Sequence, residues 1–434
     1  MEVYVRSPKA LRQKNTSSYE KIEAESSSKS ENEAGGWQGS IFLMFVVFGI
    51  TSLTPWNMFI AATAYFQDKF SGSTPDIEEN FPNYFQTGAI CMEVLVSFLA
   101  MPLVRYIPIP ALIYTANALM LSMFGLTAIL AKVDTSAWAE QLFFLTEVCF
   151  CVMCGSGALY ISTMFAITSA MNPMYIQAFV IGLGSAGVIA SLLNIIFLSI
   201  PGIDFVEAGF WYFSTAAVLL IFSMVLFSYF HRHHYQPLPK QTPAEEEEGD
   251  SAGLKTSHSS MFQLTKNTLA LGYTIFFDMF LNFLLFPGVL STLESKSTDP
   301  SWTSRYFLPV SLFLTYNVGC LVGTMLSRLI QFPSRGLIPW YATIRIVFVL
   351  LLVMCNLQPR SLPVWFQDDI SPTIFLFLFA VTQGQVLPLS LQYASESGNS
   401  SREKASIGTI MGFHSAIGRI GGSLATYLIF MIIK

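Results

Sequence analysis

Apolar residues in this chain come in runs long enough to cross a bilayer, separated by short polar stretches. No charged residue occurs between Gly35 and Phe66, and residues 148–203 carry none. A helix needs roughly 20 residues to cross a hydrocarbon core of about 30 Å, so a stretch of that second length reads as two helices, with Asn172-Pro173 supplying the turn between them. The pattern predicts an all-α polytopic membrane protein with eleven transmembrane helices, at 38–65, 83–104, 108–131, 141–168, 174–199, 208–230, 266–292, 305–329, 336–357, 371–394 and 406–432. Residues 231–265 contain a His-Arg-His-His cluster and Glu245-Glu246-Glu247-Glu248 and lack the apolar surface to fold alone, so they read as a flexible acidic linker. The domains expected are a tail over 1–37, a six-helix bundle over 38–230, the linker over 231–265 and a five-helix bundle over 266–434.

Composition supports this reading. Hydrophobic residues make up 53% and charged residues 12%, and the mean hydropathy is +0.52, whereas soluble domains carry about 25% charge. The net charge of -5 leaves no basic footprint, which excludes nucleic acid as a partner. Most of the 23 Lys and Arg residues fall in the tail and the loops on its side, so the tail and linker are expected in the cytoplasm and Lys434 outside or in a lumen. The Asn15 and Asn399 sequons then lie on the cytoplasmic side and should stay unmodified. The six cysteines (Cys91, Cys149, Cys151, Cys154, Cys320, Cys355) all fall in apolar spans, where they act as small hydrophobes, and no disulfide is expected. The tail lacks the apolar core of a cleaved signal peptide, so the first span is expected to direct its own insertion.

Glu93, Asp278, Arg345 and Arg419 lie inside spans, with Glu147 near the end of one. A charge at mid-bilayer costs about 2.5–3.5 kcal/mol on insertion scales, so these residues should face one another or a cavity. Asp278 and Glu93 read either as carboxyls bridging helices or as groups that carry a proton or attract a cation. His414 reads as locally packed or as lining the path. Gly182-Leu183-Gly184-Ser185-Ala186-Gly187 matches a dinucleotide fingerprint but lies mid-span with no preceding strand. Gly182 and Gly187, like Gly408-Gly412 and Gly418-Gly422, are instead expected to pack helices. Asn57 and Asn317 offer donors and acceptors suited to a neutral heterocycle or sugar hydroxyls, and Trp56 an aromatic face.

Pro55-Trp56-Asn57 in the first span, Trp302-Thr303-Ser304-Arg305-Tyr306-Phe307-Leu308-Pro309 with Phe313-Leu314-Thr315-Tyr316-Asn317, Arg345, Cys355-Asn356 and Gln358-Pro359-Arg360 occur in the order seen in one family. The chain resembles the equilibrative nucleoside transporters from about residue 38 to its end. Gly157-Ala158 and Val133-Asp134-Thr135-Ser136-Ala137-Trp138 add to the likeness. The resemblance implies a major-facilitator-like architecture, two helix bundles around a central site that rock to give alternating access. It implies a structural or gating ion pair at Arg345. Where the family places an Asp and, four residues later, an Arg on the eighth span, this chain has Cys320 and Thr324; the family's fourth-span glutamine is Ile161, and its tenth-span Asn-Gly is Gln383-Gly384. On an ideal helix Asn317, Cys320, Thr324 and Arg328 fall within about 80° of one another. Arg328 then either supplies the missing cation or ends its helix at the surface and snorkels.

The function these readings favour is facilitative transport of nucleosides or nucleobases, by a chain expected to be monomeric and to lie in the plasma membrane, with an endomembrane as the alternative. No phosphate-binding loop, cofactor motif or metal-ligand pattern is present, and no nucleophile-base pair suggests an enzyme. The competing readings are a carrier retuned to an organic cation or another small solute, with Asp278 or Glu93 as counter-charge or proton carrier, and a transport-dead receptor or regulator.

Overall fold

A computed structural model describes residues 38–169, 171, 173–235, 243–398 and 401–433. The tail over 1–37, Lys434, Asn172 and the sequons at Asn15 and Asn399 lie outside those residues. The described residues form helices joined by loops: α1 Gln38–Ala61, α2 Thr63–Lys69, α3 Pro75–Tyr106, α4 Ile109–Lys132, α5 Ala139–Ser169, α6 Pro173–Leu198, α7 Phe205–His233, α8 Pro243–Leu285, α9 Trp302–Leu329, α10 Ile338–Ile344, α11 Ile346–Val353, α12 Ile370–Ser395 and α13 Ser401–Ile433. Among the described residues nine helices are long and apolar enough to cross a membrane: α1, α4 to α9, α12 and α13. The apolar stretch Ile338–Val353, spanning α10 and α11, is shorter, and α3 runs for 32 residues.

Local chemistry sets the ends of these helices. Pro75 opens α3 with Asp76 and Glu78 in its first turn, where a fixed φ and negative charge both favour a helix start. Asp204 caps α7 by accepting from the Glu207 amide at 2.7 Å. Gly72 and Gly202, at φ of 89° and 78°, make turns that side chains with a Cβ resist. The helix runs on through Pro55, and α1 gives way to α2 at Ala62, where ψ rises to 28°. Helix α8 begins at Pro243, within the stretch assigned to the linker, because a helix needs only local hydrogen bonds and can outrun its apolar part. The first part of α9 is π-helical up to Leu314.

Helix α7 shows how the membrane sets the pattern. Val218, Ile221, Phe222 and Val225 form an exposed apolar face, while Phe213, Ala216, Leu220 and Phe227 are fully buried on the other side. A helix apolar all round suits lipid on one side and protein on the other. Inside, a cluster of phenylalanines holds the first half together: Phe59 stacks on Phe150 at 4.7 Å, and Phe66, Phe70, Phe81, Phe85, Phe143 and Phe213 continue it. Lipid tails are as apolar as these rings, so the gain comes from dispersion in close packing.

In the first half α3 lies along α5, and α4 along α5 and α7; in the second, α8 lies along α13 and α9 along α12. The halves meet along two seams, α6 against α9 and α3 against α13. The loops after α8 and α11 are tied at one end of the molecule, where Glu294 N–H donates to the Asn356 carbonyl at 3.0 Å and Gln358 N–H to that of Thr292 at 2.9 Å.

Candidate functional site

At the α6–α9 seam the two asparagines singled out in the sequence converge. Gly187 of α6 makes the space: a Cβ there would overlap Oδ1 of Asn317 and come within 2.8 Å of Oδ1 of Asn57. Each amide is anchored to its own helix, Asn57 Nδ2 donating to the Leu53 carbonyl at 2.9 Å and Asn317 Nδ2 to that of Phe313 at 2.8 Å. Asn317 Nδ2 also reaches Ser191 Oγ of α6 at 3.4 Å. Two amide oxygens, one from each half, therefore lie side by side and can accept from hydroxyl or ring N–H donors.

Above them lies a cavity of about 900 Å³, lined by the end of α1, the start of α3, the loop after α8 and the start of α9. That volume is within the range of small-molecule sites. Ala61 and Phe313 line it, and Asn57 and Asn317 each sit one helical turn deeper. Asp68, Glu78, Glu79 and Glu294 line the cavity, and no Lys or Arg does among the described residues.

Four of the in-span charges form two ion pairs. Arg345, at the junction of α10 and α11, forms an ion pair with Asp278 of α8, and their side chains are 1% and 0% exposed. The guanidinium also donates to Thr382 Oγ1 and Gln383 Oε1, each at 2.9 Å, and stacks over Phe379. Gln383, which stands where the family has its tenth-span asparagine, is thus held in the Arg345 cluster. One turn along α8 from Asp278, Asn282 accepts from Tyr316 Oη at 2.6 Å, and Tyr316 stacks on Phe286 at 3.8 Å. This connects the ion pair to Tyr316, the neighbour of Asn317. Glu93 of α3 pairs with Arg419 of α13 at 2.6 Å, across the other seam.

The remaining candidates divide. Trp56 is held by rings, stacked on Phe150 at 6.0 Å and edge-on to Phe283 at 5.8 Å. The α9 stripe separates: Cys320 and Thr324 lie where Gly384 brings the α12 backbone against α9, and Thr324 Oγ1 donates to the Cys320 carbonyl at 2.9 Å. Arg328 is exposed in the last turn of α9, about 16 Å of helix rise from Asn317. Gly182, Gly418 and Gly422 pack directly on neighbouring backbones. Gly408 and Gly412 differ from expectation: a Cβ on either would meet nothing within 4 Å, because that side of α13 faces outward. His414 is packed, its Nδ1 2.8 Å from the Ile410 carbonyl and its ring against Gly272.

Sequence reasoning passed over the polar residues that join the halves. Gln86 Nε2 donates to the Phe283 carbonyl at 2.5 Å and its Oε1 accepts from Gly288 N–H at 3.0 Å. Thr87 and Ser423 hydroxyls meet at 2.8 Å. Their signal was there, polar side chains inside otherwise apolar spans, but such residues also bond within their own helix.

The family model described as "Nucleoside transporter" matches residues 145–431. Equilibrative nucleoside transporter 3 of Rattus norvegicus is 26% identical over 420 residues, 89% of this chain and 88% of its own length. Equilibrative nucleoside transporter 1 of Homo sapiens is 26% identical, over 90% of this chain and 96% of its own. Among solved structures, a D-xylose–proton symporter superposes with a TM-score of 0.60 at 11% identity, covering 90% of this chain and 87% of its own. The nucleoside transporter NupG superposes at 0.53 with 12% identity, covering 91% and 92%. At these identities the likeness shows the fold alone, one shared with these solved transporters.

Proposed function

Because this chain belongs to the nucleoside transporter family, we propose that it moves nucleosides, and nucleobases with them, down their gradients by alternating access. The observation that carries this reading is the meeting of Asn57 and Asn317, one from each half, across Gly187 beneath the 900 Å³ cavity. A neutral solute rich in hydroxyls and ring nitrogens matches two amides that retain acceptor capacity, and a bundle motion that separates the halves splits the site and releases it.

The membrane arrangement follows from that premise. With α3 and the α10–α11 pair added to the nine apolar helices, the chain crosses eleven times, six before the linker and five after it. The amino terminus lies in the cytoplasm, so the cavity opens to the outside or lumen and this is the outward-facing state. Asp278 and Glu93, each paired with an arginine, act as structural bridges.

Proteoliposomes containing the purified protein should equilibrate radiolabelled uridine, adenosine and adenine without ATP or an imposed proton gradient. Asn57→Leu should lower the flux at least about tenfold, as the loss of one or two hydrogen bonds to a polar solute predicts, with reconstituted protein unchanged. Flux of all three solutes no faster than in protein-free liposomes overturns the reading. A second reading, an organic-cation carrier, draws on the acidic lining of the cavity alone, and tyramine flux exceeding uridine flux in the same vesicles would favour it.

A further inference from the structure

A second cavity, of about 530 Å³, lies between α3, α5 and α13 and shares no lining residue with the first. Its wall is a run of rings in contact: Tyr427 lies 6.4 Å from Tyr84, Tyr84 5.8 Å from Phe143, and Phe143 5.3 Å from Phe144. Helix α5 presents Glu140, Phe143, Phe144 and Glu147 to it, positions spaced so that one helical face carries an acid at each end and two rings between. No Lys or Arg lines this cavity among the described residues.

The carboxylates differ in their partners. Asp76 is engaged, accepting from Asn80 Nδ2 at 2.9 Å and from Tyr84 Oη at 2.7 Å. Glu147 lies deeper; its Oε1 is 3.6 Å from Cys151 Sγ, and its buried Oε2 has no hydrogen-bond partner. Gly88 of α3 leaves the room for this carboxyl, since a Cβ there would collide with Oε1. The other in-span carboxylates, Glu93 and Asp278, each hold an arginine. Glu147 instead faces a ring-walled space, and what complements a carboxylate beside aromatic faces is a cation with an apolar body.

We propose that this second cavity is a binding site for amphipathic organic cations, with the ammonium between Glu147 and the rings of Tyr84 and Tyr427 and the apolar portion along Phe143 and Phe144. The site is separate from the solute path, and its existence does not depend on which solute the protein carries.

The probe is tritiated phenyltrimethylammonium, whose charge is permanent, with tert-butylbenzene as its uncharged isostere. Equilibrium binding to purified protein in phosphatidylcholine nanodiscs should saturate. Glu147→Gln should weaken it about tenfold or more and Tyr427→Leu to a similar extent, as expected for loss of a charge pair or a cation–ring contact. Glu147→Asp and Tyr427→Phe, which keep the charge and the ring, should bind within a few-fold of the parent and show that the folded site survives substitution. An excess of tert-butylbenzene should leave the bound probe in place. Absence of saturable binding, affinity unchanged in both Glu147→Gln and Tyr427→Leu, or displacement by the uncharged isostere overturns the proposal; the last would make Glu147 a neutral acid in a merely apolar cleft.

Discussion

Replacing Arg345 by Met tests what holds the second half of the molecule together. The side chain is 1% exposed and its partner Asp278 0%. Removing the guanidinium leaves a carboxylate with nothing opposite it, one of whose oxygens, Oδ2, already lacks a partner, and it strips Gln383 Oε1 and Thr382 Oγ1 of their donor. Breaking one side of a buried pair costs about 3–5 kcal/mol, and the orphaned amide oxygen adds a further penalty of about 1–3 kcal/mol. A thermal midpoint moves by roughly 2–4 °C per kcal/mol in chains of 150–250 residues and by less in longer ones, so Arg345→Met should fall by about 5 °C or more in detergent melts. The companion variant removes both charges: Asp278→Leu with Arg345→Met leaves no buried ion and should recover most of the loss, retaining only the cost at Gln383. Fluorescence-detected size-exclusion after a heating series measures both variants from small cultures. A single variant that melts with the parent, or a double variant no more stable than the single, refutes the reasoning, because either outcome places the stability of this region outside the pair.

Two further outcomes follow from the central site. Gly187→Ala places a methyl group against both asparagine oxygens, so uridine flux should fall about tenfold or more while surface abundance stays near the parent's, the cost being a displaced amide at the site rather than a core defect; flux within twofold of the parent would remove this contact from the path. The acidic lining of the large cavity, Asp68, Glu78, Glu79 and Glu294, should repel phosphorylated solutes, so uridine monophosphate should compete with uridine at least about tenfold less well than cytidine does, and the gap should narrow as salt screens the charges over about 10 Å. Equal competition at low salt would show that the lining does not select.

Much of this was readable before any coordinates, and the exceptions have physical causes. Apolar runs located the helices because nothing else in a chain needs about 20 such residues together. Charges inside spans had to face one another or a cavity, yet composition could not say which. Glu93 meets Arg419 across 326 positions and Asp278 meets Arg345 across 67, and both pairings follow from which helices lie side by side. Asn57 and Asn317 came out together because both are polar in apolar surroundings and both sit in motifs. The partner of Gln383 was not legible: its position along α12 was, but the α10–α11 junction decides which neighbour takes its oxygen. Gly408 and Gly412 share the four-residue spacing of Gly418 and Gly422, and periodicity names a face without saying whether another helix lies on it. The start of α8 was hidden because charge marks a linker by composition while leaving its backbone free to form helix.

The difference between contacts within each half and contacts between them explains how such a chain can move. Inside the halves, helices touch backbone to backbone: a Cβ at Gly182 would run into α1, one at Gly384 into α9, and one at Gly418 or Gly422 into α8. Contacts that close have no slack, so these helices shift as units. Between the halves the links are side chains: Thr87 to Ser423, Glu93 to Arg419, Gln86 to the Phe283 carbonyl, Asn317 to Ser191, and Tyr306 to the Leu198 carbonyl. A hydrogen bond of this kind contributes about 0.5–1.5 kcal/mol net, so a few can be exchanged for others at modest cost. In the cycle proposed here, rocking along the α6–α9 and α3–α13 seams would leave each half intact while it separated Asn57 from Asn317. A solute held by both amides would lose half of its contacts once the seam opened, and that coupling of motion to release would let a carrier with no energy source equilibrate its solute in either direction.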